Sequence, residues 1–543
     1  MIRALKQGWA RRRRLRLLRG ARALATGDDA LGNLRLGSRL SETPLGLGRW
    51  AGWGLLPKGM DAELLDRQVR QILCIRREAV VFLPELMAGM ADPHRRVSAP
   101  LPQPWRKRLR GLGLRPRVWS CRWQWLRAQR IFYVGGMAEV ARRLRMIWRG
   151  PERPAAPYAL CVNLRTGNLP AADWRVGDPI HTLGAWHASG ALSEGGDLPA
   201  YIHIYGGAEG AHPSGLRLTG QLFPRVPGVG ARLRASGLVI WRALMATLRW
   251  PLGAWWAPAL LREAVLLEHL RALPAALRPT QARFTLDNAL HRPLWSHWLD
   301  AHGGQTHLVW YSTNSEPTAP RTHRPAPPFP GMNIMDWPHH QVWTPQQGAF
   351  VASQNGLPTQ AHVVGPIPLS DSNTPLPDLP EGCVAVFDVT PFSYRHALHS
   401  GLLHAFYTGP AMVAFLRQTH AQLRAAGLTM ALKRKRFNPE AVPHYLHAVE
   451  ALAEEPDVVM LDPEVNAARL LDAPQIVAAI SAPFTSTALL ARHAGKPSVY
   501  FEPTAQLRYP PRAAQGVRVI DAQPDLAHWL AELPGAGGKS QIA

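Results

Sequence analysis

Acidic residues are scarce in this chain of 543: 38 Asp and Glu stand against 62 Lys and Arg, a formal net charge of +24. The excess is carried almost wholly by Arg. It reflects either a compositional Arg and Ala bias spread thinly over the surface or attraction to polyanions such as lipid headgroups, lipid diphosphates and nucleotide sugars. Cysteine is also rare. Cys74, Cys121, Cys161 and Cys383 lie far apart with no CxxC pair, which argues against a disulfide framework or a zinc site and for a reducing cytoplasm. No RRM, KH or zinc-finger pattern accompanies the arginines, so nucleic acid is not an expected partner.

Long apolar runs are missing as well. Arg16, Arg19 and Arg22 interrupt what would be a signal-peptide core. The best membrane candidate, residues 235–261, contains Arg242 and Arg249 and is broken at Pro251. Its uncharged run from Trp250 to Leu261 is shorter than the roughly 20 residues a spanning helix needs. On a helix Arg234, Arg242 and Arg249 fall near one face, which suits either an interfacial helix with Trp255 and Trp256 at headgroup depth or an ordinary helix packed on the core.

What is present is enough apolar material, 46% of residues, for real cores, and a length suited to two Rossmann-like domains behind an N-terminal extension. Residues 1–125 read as that extension, basic and partly helical, with a helix over 61–75. The run Arg11–Arg14 within it marks an arm for an acidic surface such as the inner face of a membrane. Residues 126–345 read as the first domain. Residues 130–136 resemble a short buried strand leaving through Gly135 and Gly136, and 138–149 a helix. Strands at 201–207, 283–287 and 307–313, with a helix at 293–302, follow. Prolines at 317, 320, 325, 327, 328 and 330 make a loop, and the crossing between domains lies there or in the proline-rich stretch from Gly365 to Pro380. Residues 346–543 read as the second domain. Strands at 382–389, 428–432, 457–461, 476–480, 497–501 and 517–520 alternate with helices at 410–426, 439–452 and 486–494. That rhythm predicts a parallel sheet with crossover helices, whose ligands bind outside the carboxyl ends of its strands.

The sharpest motif spans 480–503. A buried strand ends at Ser481, Pro483 and Phe484 turn the chain, and Thr485, Ser486 and Thr487 open a helix. Three hydroxyls beside the first-turn amides suit an anion at the positive end of the helix dipole; plain helix capping is the simpler alternative. Glu502, at the next strand end, is placed to accept from a ribose or sugar hydroxyl. Lys433, Arg434, Lys435 and Arg436 follow another strand of the same sheet and are expected to face the same crevice; a solvated basic turn is the alternative.

This frame resembles the bacterial surface-carbohydrate biosynthesis proteins named for a Pro-Phe-Thr-Ser motif, which stands here as Pro483, Phe484, Thr485 and Ser486. The resemblance extends through Phe387, Asp388, Val389, Thr390, Pro391 and Phe392, and through Leu432 to Arg436. It reaches Arg292 to Trp295 and Tyr311 to Asn314, leaving residues 1–280 without a matching motif. It implies polysaccharide biosynthesis on a GT-B-like shell, two Rossmann-like domains facing each other, with a nucleotide-sugar as co-substrate and no cofactor. Donor contacts are then expected from Thr485, Ser486, Thr487, Lys433 to Arg436, Glu502, Asp388 and Thr390. A glycan or lipid-linked glycan is the expected acceptor, and cations rather than a metal neutralise the leaving phosphate. Bacterial sialyltransferases and Kdo transferases pair a Lys-x-His-Pro-like segment with a downstream Ser-Ser/Thr; this chain lacks the His-Pro but keeps Ser486 and Thr487, so a CMP-linked donor is an alternative. A non-catalytic assembly partner is another. An inverting enzyme needs a base for the acceptor hydroxyl; Glu316 and then Asp287 are the candidates. His339, His340 and Trp343 suggest an acceptor cleft, while His339 and His340 lack the further ligands a metal needs.

Overall fold

The structure is a computed structural model. It describes residues 39–47, 61–75, 94–153, 157–190, 198–204, 207, 209–313, 316, 318–321, 331–369, 374–391, 407–435 and 442–533. The arm containing Arg11 to Arg14, together with Phe392 and Arg436, lies outside these residues.

The first half runs through α1 (Ala62–Ile75), β1 (Arg96–Val97), α2 (Gln103–Gly111), β2 (Arg115–Pro116), α3 (Val118–Arg149), β3 (Ala159–Leu164), α4 (Leu183–Ala188), β4 (Ala200–Ile204), β5 (Gly210–Ala211), β6 (Arg217–Thr219), α5 (Val229–Arg249), α6 (Ala257–Ala272), β7 (Gln281–Thr285), α7 (Leu294–Asp300), β8 (Gln305–Val309), β9 (Ala319–Pro320), β10 (His339–Val342), α8 (Pro345–Gln354) and β11 (Gln360–Val363). The second comprises β12 (Cys383–Phe387), α9 (Gly409–Ala425), β13 (Thr429–Lys433), α10 (Pro443–Ala453), β14 (Val458–Leu461), α11 (Ala467–Asp472), β15 (Ile476–Ser481), α12 (Thr487–His493), β16 (Ser498–Phe501), β17 (Leu507–Arg508), β18 (Arg518–Ile520) and α13 (Gln523–Ala531).

Two open sheets result. The second has the order β14-β13-β12-β15-β16-β18, parallel throughout, the doubly wound order whose direction of winding reverses between β12 and β15. The first has the order β11-β10-β8-β7-β3-β4-β6-β5, parallel except for β5, and reverses between β3 and β7. Strands such as β12, buried at every position, are continuous apolar runs because helices cover both faces. The carboxyl ends of the two sheets meet in one apolar seam that includes Leu164, Ile204, Val309 and Trp343 from the first domain and Phe484, Tyr500 and Val517 from the second. The two Rossmann-like domains therefore face each other, and β9 pairs with β17 across the divide.

Several expectations are corrected. Residues 130–136 are not a strand but the middle of α3, a helix of 32 residues; Gly136 stands where an added Cβ would lie 2.9 Å from the Leu261 side chain on α6, so the glycine serves a close helix crossing rather than a turn. The strand of the first sheet that opens this region is instead β3, at Ala159–Leu164, between Pro157 and Pro170, where no strand was expected. The N-terminal region is no separate extension where it is described: Leu40, Val69, Trp105 and Trp125 belong to the same core cluster as Leu160 and Phe284 of the first sheet. The first domain also runs past 345, because β11 pairs with β10; the crossing lies in 364–382. His339 and His340 begin β10, at the edge of the sheet away from the seam, and His340 is buried against Trp310 Nε1 at 2.9 Å. They line no cleft between the domains.

The 235–261 segment divides into the end of α5, a turn and the start of α6. Arg242 turns inward to Glu268 at 2.6 Å instead of sharing an outer face with Arg234, and Trp256 is buried. The outer faces of α3 and α5, tied together by Tyr133–Thr247 at 2.7 Å and Trp148–Ser236 at 3.0 Å, are nevertheless strongly apolar. Trp119 is 80% and Trp123 73% exposed, and Leu126, Ile131, Val134, Leu233, Ile240, Trp241, Leu244 and Leu248 are exposed beside them. Arg122, Arg127, Arg130 and Arg234 share these faces, and the one acidic residue of the two helices, Glu139, is buried. Among the described residues no helix is long and apolar enough to cross a membrane.

Five histidines of the first domain, His187, His203, His269, His307 and His340, are buried. Burial lowers His203 from 6.5 to about 4 and His269, His307 and His340 to about 3. The unfolded chain binds protons between pH 6.5 and 4 that the folded domain refuses, so stability is lost as pH falls through that window. The unfolding free energy from urea titration is expected to fall from pH 7 to pH 5 by up to about 2 kcal/mol per histidine; a free energy independent of pH would contradict this burial.

Candidate functional site

The winding of the second sheet reverses between β12 and β15, and its ligand-binding edge lies beyond their carboxyl ends. Phe387 pairs with Lys433 on one side and Ser481 on the other, so the basic turn after β13 and the Pro-Phe-Thr-Ser turn after β15 lie two strand spacings apart, about 10 Å, on the same carboxyl edge. Asp388 sits between them and is buried. Its carboxylate accepts from the Lys435 N–H at 3.0 Å and from the Tyr445 hydroxyl. Burial raises its pKa against those hydrogen bonds and against nearby Arg434 and Lys433. Thr390, also buried, hydrogen-bonds Tyr445. Lys433 Nζ donates to the Pro463 carbonyl at 3.0 Å, and burial lowers its pKa against the pull of Asp388, Glu464 and Asp462. Arg434 is half-buried with Nε unpartnered among the described residues, and Lys435 is exposed.

The motif turn is held from several sides. Tyr407 donates to the Pro483 carbonyl at 2.5 Å and Tyr500 to that of Thr485 at 3.0 Å. Phe484 enters the seam edge-on to Tyr500 and Tyr509, with centroids at 5.3 and 4.7 Å. Thr485, buried, donates to the Ala482 carbonyl at 2.9 Å, and Thr487 bonds Ser481 and Thr485 at 2.9 and 3.0 Å. Ser486 makes no cap bond to α12, a helix of seven residues. Its hydroxyl instead accepts from Thr313 N at 3.0 Å and contacts Ser312 Oγ at 3.3 Å, beyond the end of β8. The three hydroxyls therefore bond one another and the opposite domain rather than converging on one point, and neither plain capping nor a simple hydroxyl cradle describes them.

The facing edge belongs to β7 and β8. Asp287, exposed in the turn after β7, accepts from the Tyr311 hydroxyl at 2.7 Å, and Tyr311 directly precedes Ser312. Gln347 and Gln515 hold the Ser312 and Thr313 carbonyls at 2.8 and 3.1 Å. Glu316 is bound to Arg512 of the second domain; burial raises its pKa while Arg512 opposes the rise.

A family model described as polysaccharide biosynthesis PFTS motif protein matches residues 242–530, just over half of the chain. The chain belongs to this family. The match begins inside α5, covers the β7 and β8 edge and ends in α13, so it takes in both walls of the crevice. No curated protein matches the chain. Among solved structures, UGT89C1 of Arabidopsis thaliana is similar at 11% identity and TM-score 0.37, over 70% of this chain and 92% of that one. A UDP-glucosyltransferase from Polygonum tinctorium is similar at 11% and 0.32, over 70% and 90%. The E. coli heptosyltransferase WaaC with ADP is similar at 14% and 0.27, over 69% and 99%. The strand orders define the fold.

Within the PFTS frame, Asp388, Thr390, Lys433, Arg434 and Lys435 share one carboxyl edge of the sheet with Ser481 to Thr487. Glu502 does not join them: it is buried, Oε1 accepts from Thr504 N at 2.9 Å and Oε2 from Leu507 N at 3.2 Å, so both oxygens close its own loop. Glu316 is spent on Arg512, leaving Asp287 as the exposed carboxylate of the pair. Tyr445, Gln347 and Gln515 were invisible in sequence; only the left-handed backbone of Gln515, φ +50°, marks it as unusual. Arg292 and Trp295 are framework: Arg292 is buried, donating to the Asp336 carbonyl at 2.8 Å. The one potential metal group among the described residues, His420, Glu455 and Asp457, is occupied by Arg424, which bonds Asp457 at 2.7 Å, at the edge opposite the crevice.

Glu502→Gln is expected to lower stability by about 1–2 kcal/mol, the loss of a buried loop bond, while leaving nucleotide affinity unchanged. Weakened nucleotide binding with unaltered melting would restore it to the site.

Proposed function

We propose that this protein is a glycosyltransferase of polysaccharide biosynthesis. In this reading a nucleotide-sugar lies along the crevice between β12 and β15, and its sugar passes to a glycan or lipid-linked glycan presented by the first domain. The observation that carries the reading is one crevice, at the winding reversal of a doubly wound sheet, walled by a basic turn and by the family's motif and faced by an exposed carboxylate on the other domain. Ligands of such sheets bind at this point. Lys433, Arg434 and Lys435, with Arg436 following in sequence, would stabilise the charge that develops on the departing nucleotide phosphate. Thr487 and the backbone of the motif turn would border the phosphates, and Asp388 with Thr390 would hold the basic turn in place through Lys435 and Tyr445. Asp287, oriented by Tyr311, would take the acceptor proton.

The reading extends to where the enzyme works. The apolar, acid-free outer faces of α3 and α5, fringed by arginines, suit the interface of an anionic bilayer. A groove of about 590 Å³ lined by Trp125, Leu126, Trp250 and Trp255 opens beside them. A lipid-linked acceptor would be met at that surface.

UDP-, GDP-, dTDP- and CMP-sugars are expected to include one that raises the melting temperature, and Arg434→Ala to remove the shift. Asp287→Asn is expected to cut transfer by roughly a hundredfold or more, the range of a lost general base, with donor affinity intact. Failure of every nucleotide-sugar to bind would favour a non-catalytic assembly partner. Separately, the purified protein should sediment with anionic vesicles, and Trp119→Ser with Trp123→Ser should release it; equal sedimentation of this variant would refute the docking face.

A further inference from the structure

The first sheet has its own winding reversal, between β3 and β7, and the donor crevice does not use it. A cavity of about 400 Å³ lies there, between the sheet and helices α3 and α6. The end of β3 is irregular: its pairing with β4 shifts register and Asn163 adopts φ +60°, a conformation Asn tolerates better than most residues. That turn lets the Asn163 N–H donate to His203 Nδ1 at 3.3 Å. With its pKa lowered to about 4 by burial and by Arg153 and Arg143, His203 is neutral at pH 7 and carries its proton on Nε2.

Three arginines, Arg142, Arg143 and Arg262, line this cavity against two glutamates, Glu139 and Glu263. Glu139 is committed to Arg142 at 3.0 Å and Arg143 at 2.8 Å. Glu263 accepts from the Leu294 N–H at 3.0 Å. Arg143 is 3% exposed, and its Nη1 has no hydrogen-bond partner among the described residues. Glu139 answers one side of this guanidinium, and a buried N–H left unanswered beyond that is costly unless a further acceptor completes it.

We infer that this cavity binds a phosphate group, with Arg143, Arg142 and Arg262 as its donors. Three guanidinium groups supply more N–H groups than the two oxygens of a carboxylate accept, and they match the oxygens of a phosphate. The cavity is much larger than phosphate alone, so the group arrives on a larger molecule. This rests on the proposed function only in assigning that molecule to the acceptor side, as a phosphorylated sugar or the phosphate of a lipid carrier.

Titration calorimetry of the full chain with inorganic phosphate and pyrophosphate tests it. Saturable binding is expected that survives Arg434→Ala in the donor crevice. Arg262→Ala and Arg142→Ala, both away from the buried core, should each weaken it by roughly tenfold, the loss of a charge-assisted hydrogen bond. Arg143→Lys, which keeps the charge but not the fork, should weaken it as well. Glucose 1-phosphate and farnesyl phosphate then separate the two bearers: tighter binding of one names it, and equal binding leaves phosphate itself as the recognised group. No saturable binding, or binding abolished by Arg434→Ala and untouched by the three cavity substitutions, would overturn the inference. The first of these results would leave the donor site standing, because nucleotide-sugar stabilisation is read separately.

Discussion

The Ser486 hydroxyl, bonded to Thr313 and Ser312 from the opposite domain, and the Phe484 ring beside it in the apolar seam fix how the two sheets meet. Parallel sheets expose their functional edge at the strands' carboxyl ends, and here two such edges are turned toward each other. Apolar contact supplies most of the stabilisation at a seam of this kind, but it is non-directional. The hydroxyl and amide contacts at Ser486, with Gln515 and Gln347 holding the Ser312–Thr313 segment, fix register. Asp287, the basic turn and the motif turn can act on one bound molecule only while that register holds.

The family motif therefore has a divided role. Phe484 packs between domains, Thr485 and Thr487 brace the turn, and Ser486 is the bridge. A short turn whose residues each face a different neighbour tolerates little change, because substitution at any position shifts the other three. In the proposed reading the charge on the leaving phosphate is met by the flanking cations after β13. Asp388 accepts from a backbone amide of the basic turn and from Tyr445, so the buried carboxylate aligns the cations rather than meeting substrate itself.

The second domain was legible in sequence because its strands are buried on both faces and read as unbroken apolar runs such as Cys383–Phe387, separated by helices of ordinary amphipathicity. The first domain was harder. Helix α3 carries apolar residues outward as well as inward, so its period is blurred, and Ile131, Phe132, Tyr133 and Val134 before two glycines imitate a strand. The glycine that seemed to end a strand is instead needed for the approach of α6. The strand β3 was hidden among prolines. At the site, the positions along the carboxyl edge were readable from strand ends, but partners were not: the residue that answers Ser486 lies 173 positions earlier, and the arginine that neutralises Glu316 lies 196 positions later. A carboxylate's availability is a property of tertiary partners, and for that reason Glu316 and Glu502 looked free in sequence while Asp287 is the one left exposed.

Hydrogen-exchange mass spectrometry of the full chain, with and without the nucleotide-sugar that most raises its melting temperature, tests the central claim most directly. Protection confined to the turn at 433–435, the motif turn at 481–487 and the facing segment at 311–313 is the predicted pattern. Protection elsewhere, with these three segments unchanged, would contradict a donor site built where the two sheets meet.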